Sequence, residues 1–216
     1  MNRFFTYKTT AASLLRGLLL LSIMMLTSVG TWVQAGEPAD STTVSISVSD
    51  AAALKNALES DTISTIYMTT DITLTEEVKI TVGADHIHSI AEGKTLTCTV
   101  KYGIGFKAGS NISLTIQGEG AGSNLVINAD NDGRAITNGT LTLNNITVDI
   151  TSGIFDPTNL TVGSGATINV DAADQTYPLQ STNLTVNDGG TININKFKGN
   201  GINIGYTLTI NSGGTV

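Results

Sequence analysis

A short acidic segment, "NADNDGRAI", holds the residues of this sequence that come closest to a metal site. Asn128, Asp130 and Asp132 alternate before Gly133, as oxygen ligands do in the first half of an EF-hand-type calcium loop. The second half of such a loop is missing, because Gly139 stands where the bidentate glutamate would be. We therefore predict a turn between two strands here, with a structural Ca²⁺ held by these three residues as the alternative.

The basic residue Arg134 follows these carboxylates and could act with them in cleaving an acidic polysaccharide. That chemistry needs several charged groups that converge on the substrate, to neutralise its carboxylate and to move a proton. Ion pairing of Arg134 with Asp130 and Asp132 would leave little reactivity. We predict no catalytic residues in this chain, and the sequence does not identify ligand-binding residues.

Two histidines and one cysteine are the other side chains that could bind a metal or react. His86 and His88 share one side of a strand, but no further metal ligand is visible nearby, so we predict a polar outer surface. Cys98 lies in "TLTCTV" on the same side as Leu96. A small buried hydrophobic residue is the better interpretation of Cys98 than a reactive thiol.

The N-terminus has the layout of a secretory signal peptide. Basic residues precede the apolar run "GLLLLSIMMLTSVG", and the small residues of "VQA" follow it. This run of 14 residues is shorter than the roughly 18 to 20 residues that span a bilayer. We predict a signal peptide over 1–35 and a secreted or cell-surface protein, with an uncleaved membrane anchor as the alternative.

Removal of this leader would leave an acidic chain of eight Lys and Arg against 18 Asp and Glu. An acidic surface repels the phosphates of nucleic acids and anionic membranes, so we expect neither as a partner after cleavage. Cys98 is the only cysteine, so no disulfide can form within the chain. Stability must then come from the burial of apolar side chains and from backbone pairing.

The first structured elements are a short strand and a helix. We predict that 36–47 contains a lead-in segment and a short strand in "VSISV", and that 48–60 forms a capping helix. Ser49 or Asp50 can cap the helix, and an apolar stripe that includes Leu54 runs along it. Two to three turns are too short to persist alone, so the helix must cover an apolar surface of the next segment.

From residue 61 onward the sequence consists of short alternating strands separated by Gly, Asn and Asp. In the last third they recur every 24 residues without an insertion, as shown by Leu160, Leu184 and Leu208, by Gly165, Gly189 and Gly213, and by Thr167, Thr191 and Thr215. Stacked coils need such regularity, because a slip of one residue would turn an inward side chain outward. We predict an all-β parallel β-solenoid over 61–216, with an antiparallel β-sandwich as the alternative.

The alternation also predicts which side chains point inward. Aliphatic residues would form inward columns along the axis, and Thr and Asn would form outward hydrogen-bonded ladders. The predicted inward set is Leu184, Val186, Ile192 and Ile194, and the outward set is Thr185, Thr191, Asn193 and Asn195.

Two segments resemble pectate-lyase-like right-handed β-helix domains of bacterial surface and secreted proteins, known as adhesive domains. "VSDAAALKNALESDTISTIYMTTDITL" is similar to the opening of these domains, in which a short helix caps the first coil. The coils of the form "LTVxxGxTIxV" at Leu160, Leu184 and Leu208 are similar to the later repeats. The resemblance covers about 45–216, and it implies a right-handed parallel β-helix with an N-terminal capping helix.

The sequence therefore favours a secreted or surface-displayed, non-catalytic module that binds a ligand or acts as a spacer. A glycan or a host or surface protein is the expected partner, and no cofactor is expected apart from the possible structural Ca²⁺. A polysaccharide lyase or glycoside hydrolase on the same scaffold is the alternative. We expect the last coil, which ends in "NSGGTV", to be incomplete, and therefore either part of a longer surface protein or paired at its edge with another chain.

Overall fold

The computed structural model describes residues 44–81, 86–101, 103–106, 112–130 and 133–216. The predicted signal peptide and most of the lead-in lie outside the described residues. The elements are, in chain order, β1 (Val44–Val48), α1 (Ala51–Leu58), β2 (Ile63–Met68), β3 (Ile72–Leu74), β4 (Val78–Ile80), β5 (His86–Ile90), β6 (Thr95–Cys98), β7 (Ile104–Phe106), β8 (Ser113–Gly118), β9 (Asn124–Asn128), β10 (Arg134–Thr137), β11 (Thr140–Asn144), β12 (Thr147–Ser152), β13 (Ile154–Asp156), β14 (Asn159–Val162), β15 (Thr167–Ala172), β16 (Leu179–Val186), β17 (Thr191–Phe197) and β18 (Ile202–Ile210).

The strands stack into three parallel faces, and successive strands of the chain lie on successive faces. The first face contains β1, β2, β5, β8, β11, β14 and the second halves of β16 and β18. The second face contains β3, β6, β9, β12, β15 and β17. The third face contains β4, β7, β10, β13 and the first halves of β16 and β18, which continue around the corner onto the first face. We call one passage through the three faces a coil.

The predicted parallel solenoid is confirmed. Every pair of named strands is parallel in the part of the chain that the structure describes, which excludes the antiparallel sandwich there. The segment 183–195 is not a hairpin, because β16 and β17 belong to different sheets. In the described part of the chain, the fold consists of about six such coils and one short helix.

The 24-residue repeat sets the register of the last coils. Leu160 lies opposite Leu184, and Leu184 lies opposite Leu208. Leu160 and Leu184 are buried, whereas Leu208 is 48% exposed because β18 pairs with a named strand on one side only. Of the other predicted inward residues, Ile192 is buried and Ile194 is partly buried against the core.

A column of left-handed residues marks the turn from the first face to the second. Six successive coils have a positive φ at this turn, at Gly93, Gly122, Asn145, Gly165, Gly189 and Gly213. Gly189 shows why glycine is favoured, because its φ of 74° costs an L side chain free energy. A Cβ there would also lie 3.3 Å from Oγ of Ser164 in the preceding coil.

Helix α1 covers the first end of the core, as predicted. Asp50 is its N-cap, and the Asp50 carboxylate accepts a hydrogen bond of 2.8 Å from the backbone N–H of Ala53. Leu54 and Leu58 are fully buried, and the helix packs against β1, β2, β3 and β4. The Lys55 ammonium links the helix to the first coil, because it donates a hydrogen bond of 2.6 Å to the carbonyl oxygen of Glu77.

Aliphatic side chains from all three faces fill one continuous core inside the coils. Within the described ranges, no helix has the length and apolar character needed to cross a membrane.

Candidate functional site

A polar groove lies at the turn from the second face to the third and spans three neighbouring coils. Strand β9 ends at Asn128, and the next residues alternate so that Ala129 is buried while Asn128 and Asp130 are exposed. The groove has a volume of about 790 Å³. Its lining residues are Thr99, Lys101, Asn128, Ala129, Asp130, Gly133 and Ser152.

The described residues of the groove form a hydrogen-bonding surface with one ammonium group and one carboxylate. The volume falls within the range of small-molecule sites, but the lining is more polar than is usual for them. Hydroxyl and amide groups of this kind can donate to and accept from a sugar. The groove could therefore hold a short stretch of a polar polymer.

Two of the three residues of the predicted calcium site, Asn128 and Asp130, lie together in this groove. The third, Asp132, lies outside the described residues, so the Ca²⁺ site stays a prediction. Among the residues that are described, no three His, Cys, Asp or Glu side chains lie close enough together to hold a metal.

The basic residue Arg134 forms an ion pair that the sequence did not reveal. Its guanidinium donates to the carboxylate of Asp156, 22 residues further along and on the neighbouring third-face strand β13. Burial raises the pKa of Asp156, and Arg134 acts in the opposite direction by favouring the charged carboxylate. The only available signal in the sequence was the alternation of each strand, which puts Arg134 and Asp156 on outward positions.

The prediction for the histidine pair is wrong. His86 and His88 are both buried, whereas Ile87 between them is exposed. The register gives the physical reason, because His88 lies opposite Ile66 and Ile116, which are core residues of the adjacent coils. Burial lowers the pKa of His88 to about 4, so its ring is neutral at neutral pH.

The cysteine behaves as the sequence predicts. Cys98 is free and fully buried in the core. Burial raises the pKa of its thiol to about 12. The thiolate is the reactive form of cysteine, so this residue packs as a small apolar side chain.

Outward amide side chains form the predicted ladders between coils. Asn183 donates to Oδ1 of Asn159 over 2.7 Å, and Asn193 donates to Oδ1 of Asn169 over 2.9 Å. A third rung joins Asn211 to Asn187 over 2.8 Å. These bonds fix the orientations of side chains that would otherwise be free to rotate at the surface.

A comparison with known protein families finds a match. The sequence model of a family described as "putative pectate lyase-like adhesive domain" matches residues 45–213. No curated protein and no solved structure matches the chain. The matched range begins in β1, includes the capping helix and extends through the last named strand. The chain therefore belongs to the pectate lyase-like adhesive domain family.

Proposed function

We propose that this protein is a non-catalytic adhesive module that is secreted or displayed at the cell surface. The observation that carries the proposal is the family match over 45–213, because that family is described as adhesive. The signal peptide predicted over 1–35 supports the same location. A glycan or a surface protein is the partner that such a module would bind.

The chemistry of the exposed side chains supports binding over catalysis. The outward positions of the regular coils are mainly Thr and Asn, and amide ladders fix several of them. These groups can donate and accept hydrogen bonds but cannot act as general acids or bases near neutral pH. Arg134, which directly follows the lining residue Gly133, is paired with Asp156.

The groove is the feature that favours a polysaccharide lyase or hydrolase as the second candidate. It brings Lys101 and Asp130 from neighbouring coils to one polar surface. Such an enzyme would need these groups to converge on a substrate and to move a proton.

Binding and turnover can be measured on the same purified protein. It would be applied to beads that carry neutral polysaccharides, polygalacturonate or extracellular-matrix proteins, and the bound fraction would be measured against protein concentration. We expect saturable binding to at least one of these surfaces, and an absence of binding to all of them would contradict the adhesive function.

Turnover would be followed with the same polysaccharides in the presence of Ca²⁺, by unsaturated-product absorbance and by reducing-end release. We expect neither signal. Product formation that disappears in Arg134→Ala and Asp132→Ala would instead favour the enzyme.

A further inference from the structure

The first face differs from the other two in its charge. None of its strands contains Asp, Glu, Lys or Arg, from β1 through the second half of β18. Strands of the other two faces do contain such residues at exposed or partly exposed positions, namely Lys79, Arg134, Asp149, Asp156, Asp171 and Lys196. The absence of charge is therefore a property of one face and not a requirement of the strand geometry.

Outward hydroxyl groups form a straight column along this face. Five threonines lie directly opposite one another in consecutive strands, at Thr115, Thr142, Thr161, Thr185 and Thr209. Stacked strands are about 4.8 Å apart, and alternate residues of one strand are about 6.7 Å apart. Flanking positions carry mainly hydroxyl or amide groups, so the first face presents a regular two-dimensional array of neutral hydrogen-bonding groups.

The array is held in place before any ligand binds. Asn183 donates to Asn159, which in turn donates to Oγ1 of Thr140 over 3.2 Å. Gln117 donates to Oγ of Ser89 over 2.9 Å and to the carboxylate of Glu119, which follows β8 at the edge of this face, over 3.2 Å. Threonine is β-branched and therefore restricted at χ1. A ligand would thus meet side chains whose rotamer entropy is already partly lost, which lowers the cost of binding.

The same face also has an exposed apolar area next to the array. Tyr67 is 43% exposed and lies opposite Ser89, which lies opposite Gln117. Ile87 is 39% exposed and lies opposite Thr115, so it continues the threonine column. An aromatic ring beside hydrogen-bonding groups suits a ligand that has both apolar ring surfaces and hydroxyl groups.

We propose that the first face binds a neutral, extended polysaccharide that lies across the coils. This inference rests on the proposed adhesive function and names its ligand class and its surface. The hydroxyl and amide array complements sugar hydroxyls, and its eight strands extend over about 34 Å, which suits a flat, extended chain. The acidic balance of the whole protein disfavours a polyuronate, which would be repelled without finding a basic residue on this face.

Binding would be tested with microcrystalline cellulose and chitin as neutral probes and with polygalacturonate-coated beads as the acidic probe. Dissociation constants would be measured by depletion of the wild-type protein from solution. A double variant, Thr161→Glu with Thr185→Glu, introduces charge in the threonine column. We expect it to weaken binding to the neutral polymers about tenfold or more, because a bound chain would desolvate unpaired carboxylates.

The second face provides a matched control. Thr167 and Thr191 are outward, partly buried and directly opposite each other, like Thr161 and Thr185 in the same two coils. The double variant Thr167→Glu with Thr191→Glu therefore has the same charge and a similar structural cost, and we expect wild-type affinity for it. Circular dichroism melts would compare the folding of both variants with the wild type.

A second pair of variants avoids the risk that the glutamates disturb the fold. Thr161→Val with Thr185→Val keeps the branched shape and removes only the hydroxyl groups. We expect it to bind neutral polymers about fivefold more weakly, because two hydrogen bonds to the ligand are lost. Thr167→Val with Thr191→Val is the control, with no expected change.

The outcomes separate this inference from the adhesive function. Loss of neutral-polymer binding in the first-face variants alone supports the inference. Equal effects of the variants on the two faces, or a preference for polygalacturonate, would overturn the inference and leave the adhesive function standing. Binding to matrix proteins but to neither neutral polymer would have the same consequence. Binding to no surface would refute both. Light scattering would detect a dimer of the wild-type protein. If the double variant Thr161→Glu with Thr185→Glu dissociated this dimer, a second copy would occupy the face, which would also overturn the inference.

Discussion

The buried imidazole of His88 should make the fold sensitive to acid. Its side chain is fully buried between core residues of the adjacent coils, Ile66 and Ile116. Neither ring nitrogen of His88 has a hydrogen-bond partner among the described residues. A proton on this ring would therefore be a buried charge without compensation, which is strongly unfavourable.

The size of the effect follows from the difference in pKa between the two states. In the folded state burial lowers the pKa of His88 to about 4 from the usual value of 6.5. Above pH 6.5 the ring is neutral in both states, and its full contribution to stability is present. As the pH falls from 6.5 to 4 the unfolded chain binds the proton and the folded chain does not, so about 3 kcal/mol of unfolding free energy is lost.

The measurement compares urea unfolding at pH 7.5 and at pH 4.0 for the wild type and for His88→Ile. Isoleucine occupies the adjacent positions of the column, Ile66 and Ile116, so the variant suits the site. All other titrating groups, including Asp156, are common to both proteins and cancel in the comparison. We expect the wild type to lose about 3 kcal/mol more than the variant between the two pH values.

A packing control separates the proton from the change of shape. Ile66→Val alters the same core column without removing a titrating group, and its loss on acidification should equal that of the wild type. If the wild type and His88→Ile lose the same free energy between pH 7.5 and pH 4.0, the reasoning about His88 is refuted.

Two further predictions concern the stability of the solenoid. Leu54→Ala should lower the free energy of unfolding in urea by about 2 to 4 kcal/mol, because Leu54 closes the first end of the core. Asn56→Ala on the exposed side of the same helix should change it by about 0.5 kcal/mol or less, and equal effects would show that α1 does not close the core. Gly189→Ala should cost about 1 to 2 kcal/mol, because its φ of 74° is unfavourable for alanine. An unchanged melting temperature for this variant would contradict the role of the left-handed turn.

The sequence predicted the last coils well because their lengths are equal. First-face leucines recur every 24 residues from Leu160 to Leu208, and the observed register follows this spacing. Between Leu114 and Leu141 the interval is 27 residues, and between Leu141 and Leu160 it is 19. Irregular turns of this kind hide the period, although each strand still alternates between inward and outward residues.

The histidine pair shows where local alternation fails. In "HIHSI" the two possible orientations of the strand bury either the histidines or the isoleucine between them. The polarity of histidine favours burial of the isoleucine, which is not the observed orientation. The choice is made by the adjacent coils, because Ile87 lies opposite the outward Thr65 and Thr115. Those partners are 22 and 28 residues away in sequence, so the strand alone does not determine which side chains point inward.

The candidate site could be predicted only in part, because some of its residues come from different coils. Asn128 and Asp130 are close in sequence, and the structure places them in one groove. Lys101 and Ser152 join them from the preceding and the following coil, and Asp156 reaches Arg134 across a coil. Contacts of this kind depend on the length of each coil, which the irregular part of the sequence does not reveal.

The distribution of charge links this fold to its proposed function. Stacking constrains the inward residues, because each must fit the core residues of the coils on both sides. Outward positions do not have to fit the core, and the second and third faces accommodate carboxylates, an arginine and lysines on strands of the same geometry. A first face without any of these charged residues is therefore not a consequence of folding. In a protein that is acidic as a whole, such a neutral face is compatible with the neutral polysaccharide that we propose as its ligand.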